Sequence, residues 1–130
     1  MQRVASRPSV LVVDDDPLYR ELATDILRLQ GMMCRTAGDA ADALQACEAA
    51  PPDLILLDLK MPGMDGIETC RRLKARPAWA AIPVIVLTAE DDPTAVRQIM
   101  EAGSLLCLTK PVAVERLVAA VRVALQGRTP

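Results

Sequence analysis

The chain has 130 residues, of which 52% are hydrophobic, so its length and composition fit one globular domain and exclude a disordered chain. Its net charge is −2, which gives no basic footprint for DNA, and only 2% of its residues are aromatic, which argues against nucleic-acid binding by base stacking. The absence of His excludes His-dependent catalytic triads, His metal sites and a phosphohistidine on this chain.

The first predicted elements are a strand and a helix that meet at three consecutive aspartates, residues 14–16. Residues 9–13 form an apolar, β-branched run, as expected for a central parallel strand that is buried on both faces. Asp16 and Pro17 are typical of an N-cap and of the first position of a helix, which Gly31 then ends. Apolar residues recur along this helix at helical spacing, at Leu18, Leu22, Ile26 and Leu29.

The middle of the chain contains two more pairs of a strand and a helix. We predict strands over 32–37 and 54–57, a helix that Asp39 caps and that runs through Ala50, and a helix from Ile67 to Lys74. The first of these helices should bury Ala43, Leu44 and Cys47. Prolines end both helices, at 51–52 and at Pro77.

Two final pairs complete the alternation, with strands predicted over 82–87 and 105–108. Asp92 and Pro93 open the fourth helix, which Gly103 closes and which should turn Val96, Ile99 and Met100 inward. The fifth helix carries one apolar stripe, made of Val114, Leu117, Val118, Val121 and Leu125. Five alternations predict an α/β fold, with a parallel five-stranded sheet and helices on both of its faces.

Polar residues follow four of the five predicted strands, and the carboxyl ends of parallel strands share one edge of a sheet. These residues are Asp14 and Asp15 after the first strand, Asp58 after the third, Thr88 after the fourth and Lys110 after the fifth. Each has an ordinary explanation by itself: helix capping for the first aspartates, the end of a strand or the cap of the next turn for Asp58, a backbone hydrogen bond for the threonine and solvation for the lysine. Their joint placement favours one site.

The chemistry of this set is coherent. Three crowded carboxylates repel one another, and Mg²⁺ relieves that repulsion while keeping water positions for a phosphate ligand. A carboxylate held against Mg²⁺ can attack a phosphoryl group and form an acyl phosphate. The hydroxyl of Thr88 and the ammonium of Lys110 could then hold the remaining phosphoryl oxygens.

Four segments together resemble the receiver domain of two-component response regulators, the CheY-like family. They are Val-Leu-Val-Val-Asp-Asp-Asp-Pro at 10–17, Leu-Asp-Leu-Lys-Met-Pro-Gly-Met-Asp-Gly at 57–66, Val-Ile-Val-Leu-Thr-Ala at 84–89 and Leu-Thr-Lys-Pro at 108–111. The resemblance covers residues 9 to about 125. It implies a doubly wound, flavodoxin-like (βα)5 sheet with strand order 2-1-3-4-5 and a ligand site between strands 1 and 3.

The resemblance also implies roles for individual residues. Asp58 would accept a phosphoryl group from the histidine of a partner kinase or phosphotransfer protein, and Thr88 and Lys110 would contact its oxygens. The implied ligands of Mg²⁺, or of Mn²⁺ in its place, are the carboxylates of Asp14, Asp15 and Asp58 and the backbone carbonyl of Lys60. The peptide bond from Lys110 to Pro111 would be cis.

The resemblance implies a signalling domain and not an enzyme: it would signal by a shift between two conformations and would catalyse only its own phosphorylation and dephosphorylation. The family's readout face, made of helix 4, strand 5 and helix 5, implies a downstream protein target, an attached effector domain or a homodimer, without direct binding of nucleic acid or membrane. On this chain that face could display Arg97, Glu101, Glu115, Arg116 and Arg122.

The sequence departs from the family pattern at Cys107, where an aromatic ring usually turns inward as the threonine is drawn to the phosphoryl group. We hypothesise that this chain signals without that rotamer switch. A swing of the Cys107 side chain coupled to Thr88, seen on comparing structures with and without a phosphoryl mimic, would count against the hypothesis.

A second hypothesis concerns Lys60 and Glu90, which border the phosphoryl group in the family and tune its hydrolysis. Lys60 could pair with Glu90 and hinder the attacking water, giving a long-lived acyl phosphate. The alternative is a solvated surface pair that contributes little. An unchanged dephosphorylation rate in Lys60→Ala would exclude the hypothesis.

Two other functions compete with the receiver interpretation. Residues 14–16 superficially resemble the DxD nucleophile of haloacid-dehalogenase-type phosphatases, but Pro17 and Leu18 replace the usual Gly-Thr and Asp58 would be unexplained. Steady turnover of a phosphate ester would support that enzyme. A pseudo-receiver that only binds partners usually lacks a key carboxylate or the lysine, and this chain keeps all of them. Cys107 is the one feature that favours a pseudo-receiver.

The four cysteines, Cys34, Cys47, Cys70 and Cys107, show no CxxC spacing, so neither a zinc site nor a redox motif is predicted. We expect them to be reduced, in a cytoplasmic protein. We expect a leader over 1–8 without the apolar core of a signal peptide, one domain over 9–125, and a tail or linker over 126–130. A whole protein and one domain of a longer protein both fit.

Overall fold

The computed structural model describes residues 7–61, 64–89 and 93–127. Five parallel strands form one sheet in the order β2-β1-β3-β4-β5, which confirms the predicted fold class and strand order. The strands are β1 (Ser9–Val13), β2 (Met33–Ala37), β3 (Leu54–Asp58), β4 (Val84–Thr88) and β5 (Leu106–Thr109). The helices are α1 (Pro17–Leu29), α2 (Ala40–Ala49), α3 (Gly66–Ala75), α4 (Pro93–Glu101) and α5 (Val114–Gln126).

The sheet separates two apolar cores because alternate strand residues point to opposite faces. On one face Val10, Leu56 and Ile85 pack with Leu27 of α1 and Val121 of α5. On the other face the alternate strand residues pack with α2, α3 and α4; this set includes Leu11, Ile55, Val86, Cys47, Leu73 and Ile99. β1, β3 and β4 are therefore covered on both sides, which explains their continuous apolar sequences.

Three aspartates cap helices and so fix where the chain turns after a strand or loop. Asp16, Asp39 and Asp65 accept hydrogen bonds from the backbone N–H groups of Leu18, Asp42 and Glu68, at 3.0, 2.8 and 2.9 Å. The caps at Asp16 and Asp39 confirm the sequence predictions, while Asp65 was not anticipated. β4 begins at Val84 rather than at 82, since Pro83 has no N–H to donate to the sheet.

Helical spacing did not identify the buried face of α1. Leu18, Leu22 and Leu29 are 78%, 54% and 85% exposed, whereas α1 buries Ala23, Thr24 and Leu27. Of the predicted stripe, Ile26 is half-buried and packs against the apolar cluster. An apolar stripe therefore predicted the helix but not the side that the sheet covers.

Two further residues assigned to apolar helix faces lie outside the core. Met100 was predicted to point inward and is 43% exposed, and Val114 is 48% exposed at the first turn of α5. Met100 is the penultimate residue of α4, and Val114 is the first residue of α5. Ile99, Leu117 and Val121 are buried as expected.

All five residues predicted for the readout face are charged, but the structure places one of them, Arg122, on a different side of α5. Arg97, Glu101, Glu115 and Arg116 are exposed on α4 and α5. Arg122 instead donates a hydrogen bond of 2.5 Å to Oε1 of Gln30, which follows α1. Arg122 therefore belongs to the α1–α5 boundary and not to the α4 side of α5.

Among the described residues all four cysteines are free; Cys47 and Cys70 are buried, and Cys34 and Cys107 are half-buried. Burial raises the pKa of each of these thiols. A raised thiol pKa disfavours the reactive thiolate. That the cysteines form neither a zinc site nor a redox motif stays a prediction. In the described part of the chain no helix is both long enough and apolar enough to cross a membrane.

Candidate functional site

Three carboxylates meet where β1 and β3 end. β1 and β3 are hydrogen-bonded neighbours, paired at Val13 and Leu57, so the residues that follow these two positions emerge side by side. Carboxylate oxygens of Asp14, Asp15 and Asp58 all lie within 4.8 Å of one another. Asp14 and Asp58 are buried and Asp15 is exposed. The cluster is open to solvent on the Asp15 side.

The carboxylate of Asp14 is fixed by its own backbone surroundings. Its Oδ1 accepts a hydrogen bond of 2.9 Å from the N–H of Asp16. Its carbonyl oxygen accepts one of 2.7 Å from Nη1 of Arg20, and its N–H donates to the carbonyl of Ala37 at 3.1 Å. Because backbone and side chain are both held, Oδ2 is left directed at the rest of the site.

That oxygen meets the ammonium group of Lys110. Nζ of Lys110 lies 2.8 Å from Oδ2 of Asp14 and 3.4 Å from Oδ1 of Asp58. Lys110 follows β5, so its side chain extends past the end of β4 to reach β3 and β1. The backbone N–H of Lys110 donates a hydrogen bond of 2.6 Å to the carbonyl oxygen of Thr88. The Lys110–Pro111 peptide bond is cis.

Lys110 remains charged in this setting. Burial by itself lowers the pKa of its ammonium, but the hydrogen bond to Asp14 and the charges of Asp58 and Asp14 outweigh burial, and the pKa is raised. The site therefore keeps one fixed positive charge beside its carboxylates.

Within the cluster, the carboxyl group of Asp58 has a raised pKa. Desolvation, followed by the negative charge of Asp14, raises its pKa from 3.8 to about 6, although Lys110 opposes the rise. At Asp58, burial and the neighbouring carboxylate together outweigh the effect of the Lys110 ammonium on the pKa. An all-oxygen donor set with excess negative charge is the kind of site that Mg²⁺ or Mn²⁺ occupies, so these three carboxylates fit a divalent cation.

The other predicted site residues lie along the same sheet edge. Thr88 is the buried last residue of β4, between β3 and β5, and pairs with Thr109. Lys60 lies two residues after Asp58 with its side chain exposed. Cys107 is half-buried and pairs with Val86 on the side of the sheet that α4 covers. Glu90 lies outside the described residues, so its pairing with Lys60 stays a prediction.

Gly66 positions the backbone that follows Asp58. Its N–H donates a 2.7 Å hydrogen bond to the carbonyl of Leu59. A Cβ at Gly66 would lie 2.7 Å from Cα of Leu59 and 2.8 Å from the carbonyl oxygen of Asp58, closer than such atoms approach. Only glycine lets the start of α3 lie directly against the end of β3.

We therefore expect Gly66→Ala to lower the free energy of unfolding by about 1–3 kcal/mol, because backbone atoms must move apart. Chemical denaturation measures this change. Gly127→Ala is the matched control, since its Cβ would meet its nearest atoms at 3.6 and 3.9 Å, which is ordinary contact. Equal stability of the two variants would contradict the packing role of Gly66.

Sequence reasoning missed two residues of α1 that contact the site. Arg20 holds the Asp14 carbonyl, and the ring of Tyr19 lies 4.1 Å from Nζ of Lys110, measured to the ring centroid. A signal was present: the only Tyr of the chain stands four residues, about one helical turn, after Asp15. Neither residue belongs to the quoted segments, so the resemblance did not draw attention to them.

Comparison with protein families and curated proteins gives a consistent match. The family described as "Response regulator receiver domain" matches residues 10–122. The DNA-binding response regulator MtrA of Mycolicibacterium smegmatis is 42% identical over 120 residues, which are 92% of this chain and 51% of the relative. The probable transcriptional regulatory protein TcrX of Mycobacterium tuberculosis is 34% identical over 97% of this chain and 53% of its own length. The chain spans about half the length of these curated relatives.

Solved structures match the fold over nearly the whole chain. The receiver domain of a signal transduction histidine kinase from Syntrophus aciditrophicus superposes with a TM-score of 0.87 at 35% identity and covers 95% of each chain. The chemotaxis protein CheY4 of Vibrio cholerae superposes with a TM-score of 0.88 at 28% identity, over 92% of this chain and 99% of that one.

Proposed function

Because the chain belongs to the receiver-domain family of two-component response regulators, we propose that Asp58 accepts a phosphoryl group from the histidine of a kinase or phosphotransfer protein. The observation that carries this proposal is the Lys110 ammonium, held between the buried carboxylates of Asp14 and Asp58 at 2.8 and 3.4 Å. A nucleophilic carboxylate beside a fixed cation is what acceptance of an anionic phosphoryl group requires.

In the proposed step an oxygen of Asp58 attacks the phosphorus, and the bond from phosphorus to the donor's imidazole nitrogen breaks. The imidazole keeps the electron pair of that bond, and Asp58 becomes an acyl phosphate. The ammonium of Lys110 exchanges its contact with Asp58 for one with a phosphoryl oxygen, and the hydroxyl of Thr88 donates to another. These contacts neutralise and orient the group, which is most of what phosphoryl transfer needs.

The metal in this proposal is Mg²⁺, with Mn²⁺ as the alternative. Its proposed ligands are the carboxylates of Asp14, Asp15 and Asp58 and the backbone carbonyl of Lys60. When bound, the ion supplies additional charge neutralisation at the phosphoryl oxygens. The crowding of the three carboxylates and the raised pKa of Asp58 support this assignment.

The signal would leave the domain through changed protein contacts. A hydroxyl of Thr88 drawn toward the phosphoryl group would shift the end of β4 and the segment that leads to α4. Cys107 offers no ring to follow that movement, so we propose that the change reaches the α4–β5–α5 face without an aromatic switch. That face would contact a downstream protein, an attached effector domain or a second copy of the chain.

We also propose that residues 9–125 act as one phosphoacceptor domain with the leader and the tail outside it. MtrA is named a DNA-binding response regulator, and the match covers 51% of its length. An output domain beyond the matched region is therefore one form that the effector could take. The net charge of the 130-residue chain, −2, gives no excess of positive charge for direct binding to DNA.

Intact-mass measurement after incubation with Mg²⁺ and a small acyl-phosphate donor tests the proposal. We expect one added phosphoryl group on the wild type, none on Asp58→Asn, and none when a chelator replaces Mg²⁺. Asp25→Asn, which alters an exposed carboxylate of α1, is the matched control and should be modified like the wild type. An adduct that persists in Asp58→Asn would contradict the assignment.

A wild type that gains no mass is then tested with beryllofluoride, a mimic of the phosphoryl group. Binding of the mimic that requires Mg²⁺ and Asp58 would keep the proposed site and place the failure in the donor or in rapid hydrolysis. Absence of both the adduct and the binding would favour a pseudo-receiver that only binds partners.

A further inference from the structure

Tyr19 is the one aromatic side chain that contacts the candidate site in the described part of the chain. Nζ of Lys110 lies over the face of its ring, 4.1 Å from the centroid. The ring is half-buried and packs against the apolar cluster that α1 and α5 share. The aromatic face is therefore held in place by contacts that do not depend on the lysine.

Lys110 needs such a constraint. Its side chain is long and flexible, and its ammonium can donate in three directions. One direction is taken by Asp14 at 2.8 Å, and the contact with Asp58 is longer, at 3.4 Å. The ring occupies a further side of the ammonium and attracts it through the negative charge of the aromatic face. With the ring in place, the side chain of Lys110 is only 19% exposed.

We propose that Tyr19 is a positioning residue for phosphoryl transfer, which holds the ammonium of Lys110 beside Asp58. This inference rests on the proposed function of Asp58. Tyr19 makes no contact with the phosphoryl group and acts only through Lys110. It limits the ammonium to the carboxylate edge of the sheet, so that an entering phosphoryl oxygen finds a cation already in place.

The ring face, and not the hydroxyl, is what the proposal requires. Tyr19→Phe keeps an aromatic face, and Tyr19→Leu keeps an apolar side chain of similar burial without one. With Mg²⁺ and a small acyl-phosphate donor, we expect Tyr19→Leu to be phosphorylated about three- to tenfold more slowly than the wild type. Tyr19→Phe should recover most of that loss. Leu18→Ala, in the adjacent exposed position of α1, is the matched control.

A second readout separates positioning from a general structural effect. The aromatic ring shifts the NMR resonances of the Lys110 side-chain methylenes upfield through its ring current. We expect that shift to persist in Tyr19→Phe and to vanish in Tyr19→Leu, while the resonances of Lys60 and Lys74 stay unchanged. Thermal unfolding of each variant shows whether the slower rate occurs in a folded protein.

Two results of the rate measurements overturn the inference: a folded Tyr19→Leu variant with the wild-type rate, or equal slowing of the Leu and Phe variants. A wild type in which Lys110 shows no ring-current shift also overturns it. A wild type that takes up no phosphoryl group and binds no beryllofluoride overturns the proposed function instead, and the inference with it. The wild-type arm therefore distinguishes the two failures.

Discussion

Replacement of Lys110 by Met should slow phosphorylation by a small acyl-phosphate donor by about a hundredfold or more. Nζ of Lys110 is the cation that the structure places 3.4 Å from the oxygen of Asp58. Without it, an anionic phosphoryl group would approach carboxylates that lack this counter-charge, and the charge that develops during transfer would be less well neutralised. Single-turnover phosphorylation, followed by intact mass against time, measures the effect.

Two further variants separate the effect of the position of Lys110 from the effect of net charge. Lys110→Arg keeps the charge but replaces a compact ammonium with a planar group, so an intermediate rate is expected. Arg116→Met removes an exposed cation from α5 and should leave the rate unchanged. If Arg116→Met slows the reaction as much as Lys110→Met does, net charge and not the position of Lys110 controls the rate, and the proposed role is wrong.

The second large effect is on stability, where Asp58→Asn should make the metal-free protein more stable at neutral pH. The pKa of Asp58 is raised to about 6 from 3.8, chiefly by desolvation and then by Asp14. The folded state therefore holds this proton more tightly than the unfolded chain does. The contribution of this bound proton to stability is fully present below about pH 4 and is lost as the pH rises through about 6.

At about pH 7.5 the ionised carboxylate thus costs stability, and Asn at this position should add about 2 kcal/mol to the free energy of unfolding. The gain should shrink as the pH falls from 6 toward 4, because Asp58 then becomes neutral as well. Urea denaturation in chelator at several pH values measures it. Asp25→Asn should show little change at any of them, and a gain for Asp58→Asn that is independent of pH would refute the explanation.

The sequence was most informative where one physical requirement determined the residue type. β1, β3 and β4 are buried on both faces, so their apolar runs could be recognised without knowledge of their neighbours. The same topology makes the strand ends converge, which is why Asp14, Asp58 and Lys110 could be assigned to one site before their contacts were known.

The sequence was least informative where the outcome depends on which side of an element a neighbour covers. Leu18, Leu22 and Leu29 have the spacing of a helix face, yet the sheet covers the side with Ala23 and Leu27. Met100 is exposed for a similar reason. These positions depend on the placement of the whole helix, and a local pattern carries no information about that placement.

Tyr19 illustrates a different limit. Its contact with Lys110 joins residues that are far apart in the sequence. It exists because the Lys110 side chain extends from the end of β5 to Asp14, at the end of β1, where α1 begins. Neither residue type alone indicates the pair. The family resemblance supplies Lys110 but not its aromatic neighbour, so this contact became visible only with the side chains in place.

The most direct test of the central claim is to identify the modified residue. After phosphorylation in Mg²⁺, borohydride reduces an acyl phosphate on aspartate to the corresponding alcohol, and peptide mass spectrometry locates the homoserine that results. We predict homoserine at position 58, absent when the donor or Mg²⁺ is omitted. Homoserine at position 14 or 15 in place of 58 would show that another carboxylate of the cluster is the acceptor and would contradict the account.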